Sequence, residues 1–531
     1  MSWDYIIVGA GSAGCALASE LVRAGQSVLV LEAGGSDWSP YIKVPAGQLV
    51  ASARHDWGYQ CEPDPSRNDI RECWPRGKVL GGSSSVNGML WIAGAAEEFD
   101  RWSEHFRGAG AWSAKEIMPI FRELENSDHV NSPRGRHGPV YVSTVSHPHP
   151  ITQAFVSACG DVGHPFRQDY NSTTRGEGVS YMQRSLRRGL RWSAADAFIK
   201  PLLRNKNLKV VLNAFVEKIE FSNGRAVGVS FACGRKLRRE SASNIVLCAG
   251  VINTPKLLML SGIGDREELG RHRISVVREL PGVGRNLGDH PLVRLVYQSN
   301  IPTFNLTEGL LQKFRIAAEF VSYREGPISN AYEALAFLRT TPSESAPDLM
   351  AYFAPVGYVS EGPGLDELAM ARYPSIMICV AKIHPVSSGR IRLTSQNPKD
   401  PPLIEARLLA DPADLETLVR GIKAVREIVR APSLAGLIKQ EIAPGPNVQS
   451  DALLATYVRN NTGGSQQPCG TCRMGIDADA VVDPNMRVRG VENLWIADAS
   501  ILPDQISANL NSVCMMIGKK LGSQLLGICK S

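Results

Sequence analysis

With 531 residues, 44% of them hydrophobic and 21% charged, the chain has the composition of a globular protein of two or three domains and not of a disordered one. Its formal charge of +6 comes from 58 basic against 52 acidic residues, too small and dispersed an excess for a nucleic-acid footprint. No run of roughly 18 apolar residues offers a membrane span.

The chain opens directly into a strand, Tyr5 to Val8, with no basic leader before it. The 11 cysteines show no framework spacing, which favours reduced thiols and a cytoplasmic setting. After the strand comes Gly9-Ala10-Gly11-Ser12-Ala13-Gly14, then a helix over Cys15–Ala24 and a second strand over Gln26–Leu31, closed by Glu32 and Ala33. This is the strand, glycine turn, helix, strand and acid order of a dinucleotide fold. Gly9 permits the tight turn, Gly11 lets the backbone approach a pyrophosphate, and Gly14 allows close helix–strand packing. Glu32 stands 18 residues past Gly14, where a carboxylate accepts from ribose hydroxyls and disfavours a 2′-phosphate. NAD and FAD both satisfy this motif.

Further along, Arg76 to Met89 packs glycines and hydroxyl residues into a loop that can lie against a flat ring or a phosphate. Two arginine-rich stretches, Arg184 to Arg191 and Arg235 to Arg239, read as solvated loops or turns. A buried strand over Ile245–Ala249 precedes the run Gly250 to Gly264. Proline breaks the stretch from about 300 to 450, as at Pro355 and at Pro401-Pro402, and no second dinucleotide motif occurs there. Cys469 and Cys472 form a C-x-x-C, but no second pair or nearby His completes a metal site, so no metal is expected.

Five segments taken together resemble the glucose–methanol–choline oxidoreductases, flavoproteins that oxidise alcohols. They are the N-terminal turn, Gly77–Asn87 with the acid Asp100, Gly250–Gly264, Pro281–His290, and Asp483-Pro484 with Val488–Val491 and Ala497–Ser500. The second signature departs at Val251, where the family prefers a small residue. The resemblance runs from residue 5 to about 520. It implies an α/β FAD-binding, Rossmann-like domain interleaved with an α+β substrate domain built on an antiparallel sheet. The expected division gives 1–155, 201–297 and 470–531 to FAD, and 156–200 and 298–469 to substrate.

Some family members attach FAD through a His where this chain has Val86, so a non-covalent flavin is expected. By resemblance, Gly9, Gly11, Ser12, Ala13, Gly14, Glu32 and Ala33 would hold the ADP half. Val79, Gly81, Gly82, Ser83, Asn87, Gly88 and Met89 would lie by the flavin. Val216 would contact adenine through its backbone, with Asp498 and Ala499 near the pyrophosphate and Asn509 against the flavin.

Alcohol oxidation needs a hydride acceptor and a place for the hydroxyl proton. Relatives place a base His in a segment where this chain reads Gly464 to Gly475, and the matching residue is Gln467. Asn511 fits the second catalytic position. The 147 residues after His384 contain no His at all. An amide cannot take up a proton near neutrality. Three readings follow: a His→Gln replacement introduced at position 467, a natural variant whose proton leaves through water or another residue, or loss of alcohol oxidation. His384, His55 and His290 read as structural. The expected reaction is oxidation of a small, primary alcohol, with O2 or another electron acceptor re-oxidising the flavin. A chain of this length resembles relatives acting on choline, hydroxymethyl-aromatic compounds and vitamin B6 alcohol more than the fungal sugar oxidases. Alternatives are a flavin-containing lyase of the same fold and a flavin-binding protein without oxidase chemistry.

Overall fold

The computed structural model describes residues 2–129, 132–172, 176–305, 318, 320–324, 326–329, 332–360 and 368–527. The elements that build its two layers run, in chain order, β1 (Trp3–Val8), α1 (Ser12–Arg23), β2 (Val28–Leu31), α2 (Pro150–Asp161), β3 (Gly178–Tyr181), β4 (Leu208–Val211), β5 (Ala214–Ser222), β6 (Arg225–Cys233) and β7 (Lys236–Leu247). They continue with α3 (Gly250–Leu260), β8 (Pro291–Ser299), β9 (Ala334–Leu338), β10 (Leu349–Ala354), β11 (Ser375–Lys382), α4 (Pro412–Arg430), β12 (Ile438–Ala443), α5 (Asp451–Asn461), β13 (Gly463–Gly464), β14 (Leu494–Ile496) and α6 (Leu510–Leu525).

The first sheet has the order β4-β2-β1-β7-β6-β5, with β14 on the other side of β7. Its pairs β4–β2, β2–β1, β1–β7 and β7–β14 are parallel. Parallel strands are covered on both faces, which is why β1 and β2 read as continuous apolar runs: Ile6, Ile7, Val28, Leu29 and Val30 are fully buried. α1 covers one face and packs against α6 so closely that a Cβ at Gly518 would lie 2.1 Å from the Ala13 carbonyl oxygen. The expected helix and strands of the dinucleotide fold are present, shifted at their ends: the helix starts at Ser12, three residues before Cys15, and the second strand starts at Val28.

The second sheet, β12-β8-β11-β10-β9-β3 with β13 pairing β8, is antiparallel throughout. Its side chains alternate between two apolar environments. Val293, Leu295, Tyr297, Ile376, Ile378 and Val380 pack on α2, α4 and α5 through Ile151, Phe155, Leu418, Ile422, Val425 and Leu454. Leu292, Val296, Tyr352, Met377 and Cys379 point the other way, towards the first layer. Burying each such side chain contributes about 1.5–3 kcal/mol. The dinucleotide layer and the antiparallel substrate-side layer are thus those expected. The expected boundaries at 155 and 297 fall inside α2 and β8, and both elements pack with the second sheet.

The arginine-rich stretches match expectation in part: Arg188 and Arg235 lie exposed in turns, but two of the others are interior. Arg184 and Arg191 are buried, 2% and 1% exposed, because their guanidinium groups serve the interior. Lys236, Arg238 and Arg239 lie on the exposed start of β7, paired to β6, and not in a turn.

Candidate active site

One cavity of about 740 Å³ runs between the two layers, from the start of α1 to the inner face of the second sheet. That volume falls in the usual range for cofactor sites. At the α1 end the wall is backbone. Gly9 has φ +102°, and a Cβ there would lie 2.4 Å from the Cys248 carbonyl oxygen. A Cβ at Gly14 would come within 2.1 Å of the Gly9 carbonyl oxygen, whereas at Gly11 it would meet nothing within 4 Å, and Gly11 faces the cavity. Gly11 also caps α1 without a side-chain bond, so the first helical N–H groups, with the positive end of the helix dipole, are left for an anion.

The Glu32 carboxylate accepts from the Ala10 and Gly34 amides, each at 2.8 Å, and lines the cavity; burial pushes its carboxyl up to about 7. Ser12, Ala13, Ala33, Val216, Asp498 and Ala499 line the same end. Asp498 accepts from the Gly250 amide at 2.9 Å and the Thr254 hydroxyl at 2.6 Å, tying α3 to the segment after β14. Burial raises its carboxyl as well.

The glycine loop closes over this turn. Gly81 and Gly82 have φ +90° and +54°, and a Cβ on Gly82 would lie 2.8 Å from the Gly11 Cα. A cradle that added side chains would fill is the shape a pyrophosphate and flat ring require. Ser83 accepts from the Gly77 amide at 3.1 Å. Asn87 Oδ1 accepts from the Met89 amide at 3.1 Å, with Met89 in the left-handed region at φ 62°. Gly82, Ser83, Asn87, Gly88 and Met89 line the cavity; Gly14, Val79 and Gly81 stand behind its wall. Val86, at the position where some relatives carry the attachment His, packs with Ile42, Ala51 and Val79. Sequence reasoning missed Arg191, which holds this loop: its Nη1 donates to the Asn87 carbonyl at 2.6 Å and to Asn87 Oδ1 at 2.7 Å, while Nε donates to the Ile42 carbonyl at 2.8 Å. Burial lowers its guanidinium to about 9. Its spacing from the loop, about a hundred residues, carried no signal.

At the far end the wall is side chains. The turn after β13 carries Ser465, Gln466 and Gln467, all facing the cavity. Gln467 donates its backbone N–H to Asp289 Oδ1 at 2.9 Å, and its Oε1 accepts the Leu510 amide at the start of α6 at 2.6 Å. Ser465 Oγ donates to the same Asp289 oxygen at 3.0 Å. Burial raises the Asp289 carboxyl to about 7 despite the Arg76 charge nearby. Tyr352 on β10 donates to Asn509 Oδ1 at 3.4 Å. Asn511 is turned the other way, its Oδ1 accepting from Ser12 Oγ at 2.7 Å. The two asparagines therefore take places opposite to those expected: Asn509 faces the second sheet, and Asn511 faces the start of α1. Asn509 is the extended cap residue before α6 while Asn511 lies in its first turn, so the two side chains point to different sides.

The histidines lie elsewhere. His384 meets the Gln505 carbonyl at 2.9 Å and Glu98 at 3.2 Å, outside the cavity. His290 is fully buried, its Nδ1 2.9 Å from the Lys382 carbonyl, and burial lowers it to about 4. Cys469 Sγ donates to Gln505 Oε1 at 2.6 Å, and burial pushes both it and Cys472 up. No helix among the described residues is long and apolar enough to cross a membrane.

A glycine-cradled dinucleotide site facing an antiparallel sheet, with amide side chains between them, fits an FAD-dependent oxidoreductase acting on CH–OH groups. The chain belongs to the GMC oxidoreductase family, whose descriptions match residues 3–292 and 385–518. It is 37% identical over 537 residues to an oxygen-dependent choline dehydrogenase of Rhizobium rhizogenes, covering 99% of this chain and 96% of that one. It is also 37% identical to an alcohol dehydrogenase [acceptor] of Pseudomonas putida, covering 97% and 94%. Among solved structures it resembles pyridoxine 4-oxidase from Mesorbium loti, with TM-score 0.89, 28% identity and 99% of both chains covered.

Proposed function

We propose that this chain oxidises a small, primary alcohol at the cavity end walled by Gln467, Asn509 and Tyr352, using non-covalently held FAD. The observation that carries this reading is the convergence of the two amides, from segments more than forty residues apart, on the space beside Asn87–Met89. Relatives named for choline and pyridoxine, both bearing hydroxymethyl groups, support the substrate size. The apolar surroundings of Val86 support a flavin without a covalent link at that residue. FAD, when bound, supplies the hydride acceptor.

The protein's share is orientation and proton handling. Leu510 occupies the Gln467 carbonyl, which leaves the amide N–H groups as donors. Tyr352 likewise occupies Asn509 Oδ1. Two amides that only donate hold an alcohol oxygen and fix the direction of its C–H bond, but neither takes the proton. In this reading the proton leaves through Ser465, which faces the cavity, to Asp289 behind it. A carboxyl near neutrality suits that role. Anaerobic mixing with a panel of primary alcohols tests the function: bleaching of the flavin, reversed by an electron acceptor, is expected. A flavin that no alcohol bleaches would leave the lyase or the non-oxidising binder. In the Gln467→His variant, a base in direct contact should speed anaerobic reduction at least about tenfold, below the full general-base range.

A further inference from the structure

The inner face of the second sheet carries a cation that the alcohol chemistry does not use. Arg294 on β8 lines the cavity beside Leu292, and its Nη1, buried in the wall itself, has no hydrogen-bond partner among the described residues. Glu72, a cavity-lining carboxylate that feels the Arg294 charge, is already committed: Oε2 accepts from Arg67 Nη1 at 3.0 Å and Oε1 from the Gly464 amide at 2.8 Å. A guanidinium on a cavity wall that no carboxylate hydrogen-bonds among the described residues marks a place for an anion.

Strand register fixes where that anion would sit. Arg294 pairs across to Cys379 on β11, and Cys379 to Tyr352 on β10, so the three side chains stand in one row on the cavity face. Arg294 and Tyr352 are two strand spacings apart, about 10 Å at the backbone. Tyr352 reaches Asn509. Tyr332 lines the same wall, its ring 6.0 Å from that of Tyr352 and tilted by 67°. The row thus runs from the alcohol-holding amides, past two aromatic rings, to a fork-shaped cation suited to a carboxylate.

We propose that Arg294 selects alcohols that carry a carboxylate about one aromatic ring away from the hydroxymethyl group. The substrate class is then a hydroxymethyl-aryl acid, and a quaternary ammonium alcohol such as choline is disfavoured by like charge. This assignment rests on the alcohol-oxidising reading above and adds the substrate's charge to it.

The test compares 4-(hydroxymethyl)benzoate with its neutral isostere 4-(hydroxymethyl)benzamide and with choline, by kcat/KM on the holoenzyme. A preference for the acid of at least about tenfold over the amide is expected, from the strength of a charged hydrogen bond. In Arg294→Gln that ratio should fall to near one, and Arg294→Lys should retain part of it. A structural role for Arg294 would lower both substrates together and leave the ratio where it was, which would overturn the proposal, as would a native ratio near one or a preference for choline. Benzoate and benzamide, added to the native holoenzyme and followed by the shift of flavin absorbance, give a readout independent of turnover and of variant folding. Benzoate should bind at least about tenfold tighter; equal binding overturns the assignment. If neither alcohol bleaches the flavin while benzoate still binds selectively, the oxidation reading fails and the anion site stands.

Discussion

The two ends of the cavity hold their ligands by different means. At the α1 end, the wall consists of main-chain amides and of glycines whose missing Cβ atoms leave room, as at Gly11 and Gly82. At the sheet end, it consists of side chains, Arg294, Tyr352, Gln467 and Asn509, drawn from four separate elements or turns. A backbone site depends on a contiguous stretch of chain and tolerates no added bulk. A side-chain site can be retuned one residue at a time. In the proposed reading, the first end holds the cofactor and the second handles the alcohol.

Substitutions can break this division where it is sharpest. Gly11→Leu places a side chain in open cavity and not against protein, so the variant should purify folded with less than about a tenth of the flavin per chain, read from absorbance, because an anion can no longer approach the helix amides. Full flavin content would show that the α1 end is not the cofactor's. Next in size, Asp289→Asn or Ser465→Ala should slow alcohol-driven flavin reduction by about 10²-fold, the lower part of the general-base range. With Asp289 raised to about 7, its base form is lost as pH falls through 7, so native kcat/KM should drop on the acid side, and Asp289→Asn should lack that limb.

The same shift has a stability sign. Between the ordinary value of 3.8 and about 7 the folded chain keeps a proton on Asp289 that the unfolded chain has released, so this group's contribution to stability is greatest below 3.8 and declines as pH rises through that window. Asp289→Asn should flatten the decline in a melting series across pH. The smallest effects separate the two asparagines. Asn509→Ala should lower kcat/KM for the alcohol about tenfold with flavin content retained, while Asn511→Ala should weaken flavin retention about fivefold, one neutral hydrogen bond's worth. The reverse pattern would restore Asn511 to the substrate side.

The backbone end was legible in the sequence because its determinants are local. Gly9 to Gly14 and Glu32 announce a turn, a helix start and an acid within one supersecondary unit. The sheet end was not, because Arg294, Cys379 and Tyr352 become neighbours only through strand register. Arg191 escaped for a related reason: a charged residue in a polar stretch looks solvated until the carbonyls it serves, at Ile42 and Asn87, are brought to it. Position 467 was legible as an anomaly. That its carbonyl is taken by Leu510 could not be seen before the two segments were placed together.

The hydrogen bond between Ser12 and Asn511 spans 499 positions of the chain. β14 likewise joins its sheet beside β7, after some 250 intervening residues. A ribosome making this chain thus emits the glycine turn 499 positions before Asn511, so the turn waits through that synthesis without the strand and helix that complete its pocket. Contacts of such sequence separation form late and slowly. Flavin capture accordingly awaits the segment from β14 to Asn511, and a chain cut short before residue 494 would carry its fingerprint motif intact beside an unfinished pocket.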